Sequence, residues 1–171
     1  MGEGGRAATP TKAGPLKLGD EERELLRLEL DTLLPALSGP RRERYEALAR
    51  AIDSDGDVPP EALPALESVL ELALQTGRAR QLYRAEGERI LTSVLRRTPR
   101  GREHAAQLDK VNEALRVMAG ETLEAVRVRM RTLGHYTMTI QSKATTITLA
   151  VRPDGVRVDS VAVGDTQGPT G

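Results

Sequence analysis

The chain has no cysteine, no phenylalanine and no tryptophan. Disulfides, thiolate nucleophiles and thiolate zinc sites are therefore excluded. Tyr45, Tyr83 and Tyr136 are its only aromatic residues. The core must be built from Leu, Val, Ile, Ala and Met, and the aromatic platforms on which single-stranded bases stack are all but absent. No apolar run approaches the roughly 18 residues that a membrane span needs, so no membrane partner is expected. The opening MGEGGRAATPTKAGP lacks the apolar core of a signal peptide. Its Met-Gly start is not followed by a serine or threonine where a myristoylation motif wants one. The expectation is a cytoplasmic protein, and the wealth of Arg, Ala and Leu fits a GC-rich bacterial genome.

Excess charge is lacking too. Lys plus Arg and Asp plus Glu both number 25, which argues against a strongly basic nucleic-acid binder. The balance hides a split. Residues 1–75 carry 9 basic and 15 acidic residues, whereas residues 76–171 carry 16 and 10, a formal −6 against +6. Such polarity favours head-to-tail self-association or a polarised surface. Its plain alternative is chance clustering on solvated helix faces.

What is present reads as 171 residues of one α+β domain. Residues 1–18 are Gly-, Ala-, Thr- and Pro-rich without periodicity and read as a disordered tail, as do residues 164–171. Between them lies a single domain over 19–163, helical over 19–120 and a β-meander over 122–163. Asp20 is the expected N-cap of a first helix whose stripe is Leu26, Leu30, Leu33 and Leu37. A second helix, opened by Ser38-Gly39-Pro40, carries Tyr45, Leu48, Ala49 and Ile52 on one face. A third, about 60–75, is apolar on more than one face and so the most buried, with Gly77 as its C′ residue. A fourth spans about 79–97, with Gly87 placed for close helix approach. Thr98-Pro99 opens a fifth, with Leu108, Val111, Leu115 and Met118 as its stripe.

Period two then takes over in VRVRMR (126–131), YTMTIQ (136–141) and TITLAV (146–151). Arg152-Pro153-Asp154-Gly155 is a hairpin turn leading to VRVDSVAV, whose apolar phase slips near Asp159 and signals a bulge. Thr122, Val126, Met130 and Leu133 also stand at helical spacing. The β-branched content and strict arginine alternation favour a strand there. The fold expected is thus about five helices (20–119) packed against an antiparallel meander of three to four strands, with one apolar sheet face resting on the helices.

Three groups of residues invite a functional reading. In AIDSDGDVPPE, Asp53, Asp55 and Asp57 alternate as the first three ligands of an EF-hand loop do, with Glu61 following, and calcium is the one cofactor they suggest. The resemblance to that loop stops there, because the glycine position holds Val58 and the closing-glutamate position holds Pro64. The bland alternative is an acidic joint between helices. In RRTPRGR, Arg96, Arg97, Arg100 and Arg102 surround a helix N-terminus, where guanidiniums and open amides can hold a phosphate, a nucleic-acid backbone or an acidic partner. The alternative is a helix C-terminus favoured by Arg96 and Arg97, with the rest solvated. In the first strand, Arg127, Arg129 and Arg131 project beside Thr137, Thr139, Gln141, Thr146, Thr148 and Arg157, either as a binding face or as an ordinary solvated one.

His104 sits on the apolar stripe of the fifth helix and His135 in a turn, and neither has a metal-spaced companion. GxSxG, P-loop and GxGxxG patterns are all missing, and no serine stands in a nucleophile context. Catalysis is accordingly not expected, and no catalytic residue is nominated. The function expected is protein interaction or scaffolding, with a protein partner or a homo-oligomer. The alternatives are a phosphate- or nucleic-acid-associated accessory role through Arg96–Arg102, and a calcium-responsive role through the aspartates.

Overall fold

A computed structural model describes residues 14–54 and 56–164. The fold is α+β: five helices followed by a four-stranded antiparallel sheet. The sequence gives reason to draw one domain over 19–163, whereas the chain divides into two compact units after Gly101. No helix among the described residues is long and apolar enough to cross a membrane.

The first unit contains α1 (Asp20–Leu33), α2 (Gly39–Asp53), α3 (Leu63–Gln75) and α4 (Arg78–Arg97), with short 3-10 turns at Leu34–Ala36 and Pro60–Ala62. Gly19, not Asp20, caps α1, and its amide donates to Glu22 Oε2 at 2.9 Å. The expected stripes bury themselves: Leu26 and Leu30 from α1, Leu48 and Ile52 from α2, Leu91 and Val94 from α4. α3 buries Leu63, Ala65, Leu66, Val69, Leu70 and Ala73, as its all-round apolar pattern requires. Gly77 follows its C-cap at φ 70°, a left-handed conformation natural to glycine.

Two features depart from the expectation. Residues assigned to the N-terminal tail are packed. Leu16 pairs with Val58 through two backbone hydrogen bonds (2.9 and 2.8 Å), and Leu18 is buried in the core. Two leucines at strand spacing suffice to anchor a segment whose Gly, Pro and Lys content resembles a linker. In addition, α4 is broken at Arg84, whose φ of 60° and ψ of −165° are not helical. Gly87 therefore serves Tyr83 of its own helix rather than a neighbouring helix. A Cβ placed there would lie 2.1 Å from Tyr83 Cβ.

The helix α5 (Pro99–Arg116) leads into β1 (Leu123–Thr132), β2 (His135–Ser142), β3 (Thr145–Arg152) and β4 (Gly155–Val163). The strands pair in chain order, β1-β2-β3-β4, all antiparallel. Residues 123–132 are strand throughout, so alternation prevails over the competing helical spacing. Ser160 pairs with Thr148 and Val158 with Leu149, which leaves Asp159 as the bulge that the phase slip signals.

Val111 and Met118 pack on Ile147 and Leu149 of β3, with Leu115, Met138, Ile140, Val156 and Val158 around them. Beneath them, the Ser142 hydroxyl donates to Glu121 and accepts the Thr145 amide at 3.0 Å, tying the β2–β3 turn to the residues that follow α5.

Candidate functional site

The aspartate loop comes first. Asp53 ends α2, and its Oδ1 accepts from Arg27 Nε at 2.7 Å. Arg23, though charged, is buried. Its guanidinium donates to the Ile52 and Gly56 carbonyls, each at 2.7 Å. Arg23 and Arg27 thus both donate to the Ile52 carbonyl, which the end of α2 leaves open, Arg23 also holds the Gly56 carbonyl of the loop, and the cation facing the loop is a guanidinium. Asp57 and Glu61 are exposed, and Asp55 lies outside the described residues. Among the described residues no three His, Asp or Glu side chains stand together as metal ligands.

The RRTPRGR patch is similarly engaged. Arg97 donates to Glu22 Oε1 at 2.6 Å and to the Lys17 carbonyl at 2.8 Å. Arg100 Nε lies 2.7 Å from Glu71 Oε1, paired by charge rather than through a well-angled hydrogen bond. The amides a phosphate would use at this helix N-terminus are taken as well. That of Arg100 donates to Glu67 Oε1 at 2.8 Å, and that of Gly101 to Thr98 Oγ1 at 3.1 Å. Arg96 lines a shallow surface depression with Glu88, Arg89 and Arg97. Arg102, the first residue of the second unit, is exposed. A phosphate arriving here competes with carboxylates already in place.

The first strand differs. Register places Arg127 opposite Thr139 and Arg129 opposite Thr137, while Arg131 is the extra residue of a bulge between Met130 and Thr132. All three arginines, with Met130, Thr137 and Thr139, line one open depression of about 460 Å³. None of the three forms an ion pair among the described residues. Arg157, further across the same face, is held by Asp154 at 3.2 Å.

On the other face of β1, Val126, Val128 and Met130 stand opposite Ile140, Met138 and Tyr136. They belong to the apolar layer whose centre, Ile147 and Leu149, is 0% and 4% exposed. Yet they are 55%, 58% and 65% exposed. Within the second unit, α5 covers only part of this face. α5 packs over β3, and β1 lies two strands away, at ~4.8 Å per strand, beyond the reach of a helix ~10 Å across. An accurate count of strands and helices carried the signal: one amphipathic helix in this half cannot roof four strands. β1 is also an edge strand, so one row of its backbone donors and acceptors has no ladder partner among the described residues.

His104 is half-buried on α5 and His135 is exposed, its Nδ1 3.2 Å from the Leu133 carbonyl. Comparison with known protein families, curated proteins and solved structures returns no match.

Proposed function

We propose that this chain is a non-catalytic protein-interaction domain whose binding element is the edge strand β1. The observation that carries this reading is a ten-residue edge strand with both faces unspent: three exposed valine and methionine side chains on one side, and on the other three arginines without ion pairs among the described residues. Monomeric soluble proteins seldom leave a long, half-apolar edge open, because it templates pairing with another chain. Strand addition uses that property. Main-chain hydrogen bonds supply affinity, and alternate side chains supply specificity.

The other two readings have less support. A phosphate at Arg96–Arg102 must displace Glu22, Glu67 and Glu71, and calcium at the aspartate loop must displace Arg27 from Asp53.

The test is a paired affinity capture from native lysate, with wild type and with Val128→Asp, each with and without nuclease. Proteins recovered by wild type in both nuclease conditions and lost with Val128→Asp support the reading. Identical recovery by both baits overturns it, and recovery abolished by nuclease returns the chain to a nucleic-acid role.

A further inference from the structure

Three occupants of the β1 edge deserve comparison: a second copy of this chain, a nucleic acid and a strand of another protein. Two-fold pairing of β1 with a second β1 keeps each sheet face continuous, since such an interface joins a patch to itself. The Arg127, Arg129 and Arg131 row of one copy then meets the same row of the other. Like charges directly opposite across strands are destabilising. Glu124, the only acidic residue of β1, stands apart at the bulge near Leu123 and cannot offset them. A nucleic-acid backbone answers the arginines but not the apolar face, and the single tyrosine near β1, Tyr136, gives no stacking series.

We infer that the β1 edge accepts an extended segment of another protein in which apolar and acidic residues alternate. The inference rests on the strand-addition reading and specifies its partner. Along a strand, side chains on one face recur every ~6.8 Å. Arg127 and Arg129 are successive members of such a series, as are Val126, Val128 and Met130. A partner strand beside β1 therefore meets cations at alternate positions and apolar side chains at the positions between. Carboxylates opposite Arg127, Arg129 and Arg131 neutralise a row that nothing else among the described residues neutralises. Valine, isoleucine or leucine between them extends the apolar layer that α5 leaves uncovered. Five to seven partner residues span the row.

Arg27, Arg78, Arg97, Arg100 and Arg157 each have a carboxylate within 3.2 Å. The arginines of β1 are the ones set on an edge where a carboxylate can be delivered from outside.

The test uses the full chain and four labelled nine-residue peptides read by fluorescence anisotropy: alternating Val/Glu, alternating Val/Lys, alternating Val/Ser, and a block of valines followed by glutamates. The Val/Glu peptide is expected to bind about tenfold or more tightly than the Val/Lys and block peptides, as two or three opposite-charge cross-strand pairs would give. Its affinity is expected to fall as salt rises from ~0.05 to ~0.5 M. The double variant Arg127→Glu/Arg129→Glu should reverse the preference toward Val/Lys, a gain that only a folded protein can show. Equal binding of Val/Glu and Val/Lys overturns the acidic partner. If Val/Ser binds as well as Val/Glu and Val128→Asp abolishes both, strand addition stands and only the charge assignment falls. If no alternating peptide binds, both fall. A concentration-dependent dimer lost in Val128→Asp would name a second copy as occupant, and Arg-dependent binding of oligothymidylate without peptide binding would name nucleic acid. Either result overturns the proposal.

Discussion

The Tyr83 hydroxyl donates a 2.7 Å hydrogen bond to Oε1 of Glu29, a carboxylate with 6% of its side chain exposed. Arg78 Nε donates to the same carboxylate at 3.0 and 3.2 Å. Burial first, then the hydrogen bond to Glu29 and its charge, push the Tyr83 hydroxyl up to about 12 from its ordinary 10.0. A group whose folded pKa is raised stabilises the fold below its unfolded pKa and loses that contribution as pH rises through the folded value. Between pH 10 and 12, wild type should therefore lose more denaturation midpoint than Tyr83→Phe. In an ultraviolet titration a phenolate signal appearing near pH 12 should vanish in Tyr83→Phe. Parallel loss in both proteins would remove Tyr83 from the account.

Arg23 is buried and bound to the Ile52 carbonyl at the end of α2 and to the Gly56 carbonyl of the loop beyond it. Arg23→Met should cost about 2–4 kcal/mol, the range for charge-assisted hydrogen bonds whose acceptors are left without partners. Arg23→Lys should recover only part of this, because an ammonium cannot fork between two acceptors. Urea denaturation measures both. Because arginines occupy the loop, calorimetry at ~1 mM calcium should show no binding heat. A heat lost in Asp53→Asn would restore the calcium reading.

Alanine in place of a helical glycine ordinarily stabilises by up to ~1 kcal/mol. At Gly101 the sign should reverse. A Cβ there would lie 1.8 Å from the Leu95 carbonyl oxygen, which is backbone and cannot swing aside. Gly101→Ala should destabilise by about 3 kcal/mol or more, seen as a lowered thermal midpoint.

At Arg84 the expectation inverts again. Its φ of 60° and ψ of −165° suit glycine alone. Arg84→Gly should raise stability by about 1 kcal/mol, part of the strain being offset by the greater unfolded-chain freedom of glycine. Arg84→Ala should bring no such gain. Chemical denaturation distinguishes the two.

The arginine row should also keep copies apart. Arg127→Ser/Arg129→Ser/Arg131→Ser leaves the apolar face and the open ladder without their repulsive guard. Light scattering should report a mass at least twice that of wild type. An unchanged monomer would show that the row does not restrain pairing.

Much of this architecture was legible in the residues. Leu26-Leu30, Leu48-Ile52 and the apolar run of α3 fix helices because their spacing follows a single period. VRVRMR fixes β1 because its strict alternation puts arginines and apolar residues on opposite faces of a strand. The kink at Arg84 was not legible, since nothing about arginine announces a left-handed backbone and only the anchoring of Tyr83 on Glu29 reveals what holds it. The arginine sites divided for a similar reason. Arg97, Arg100 and Arg127 look alike in sequence. Glu22 lies 75 positions from Arg97, and Glu67 and Glu71 lie 33 and 29 (100 − 71) from Arg100; these distant carboxylates decide which arginine is engaged. Long-range pairing of that kind has no local pattern.

The bulge at Asp159 has a consequence for assembly. It interrupts β4, the opposite edge of the sheet, and places a carboxylate where a further strand would have to align. The two edges are therefore unequal: a ladder can grow at β1 and stalls at β4. If β1 takes up a strand as proposed, β4 offers no matching edge for a second, and the complex is expected to close at one partner per chain instead of propagating as a filament.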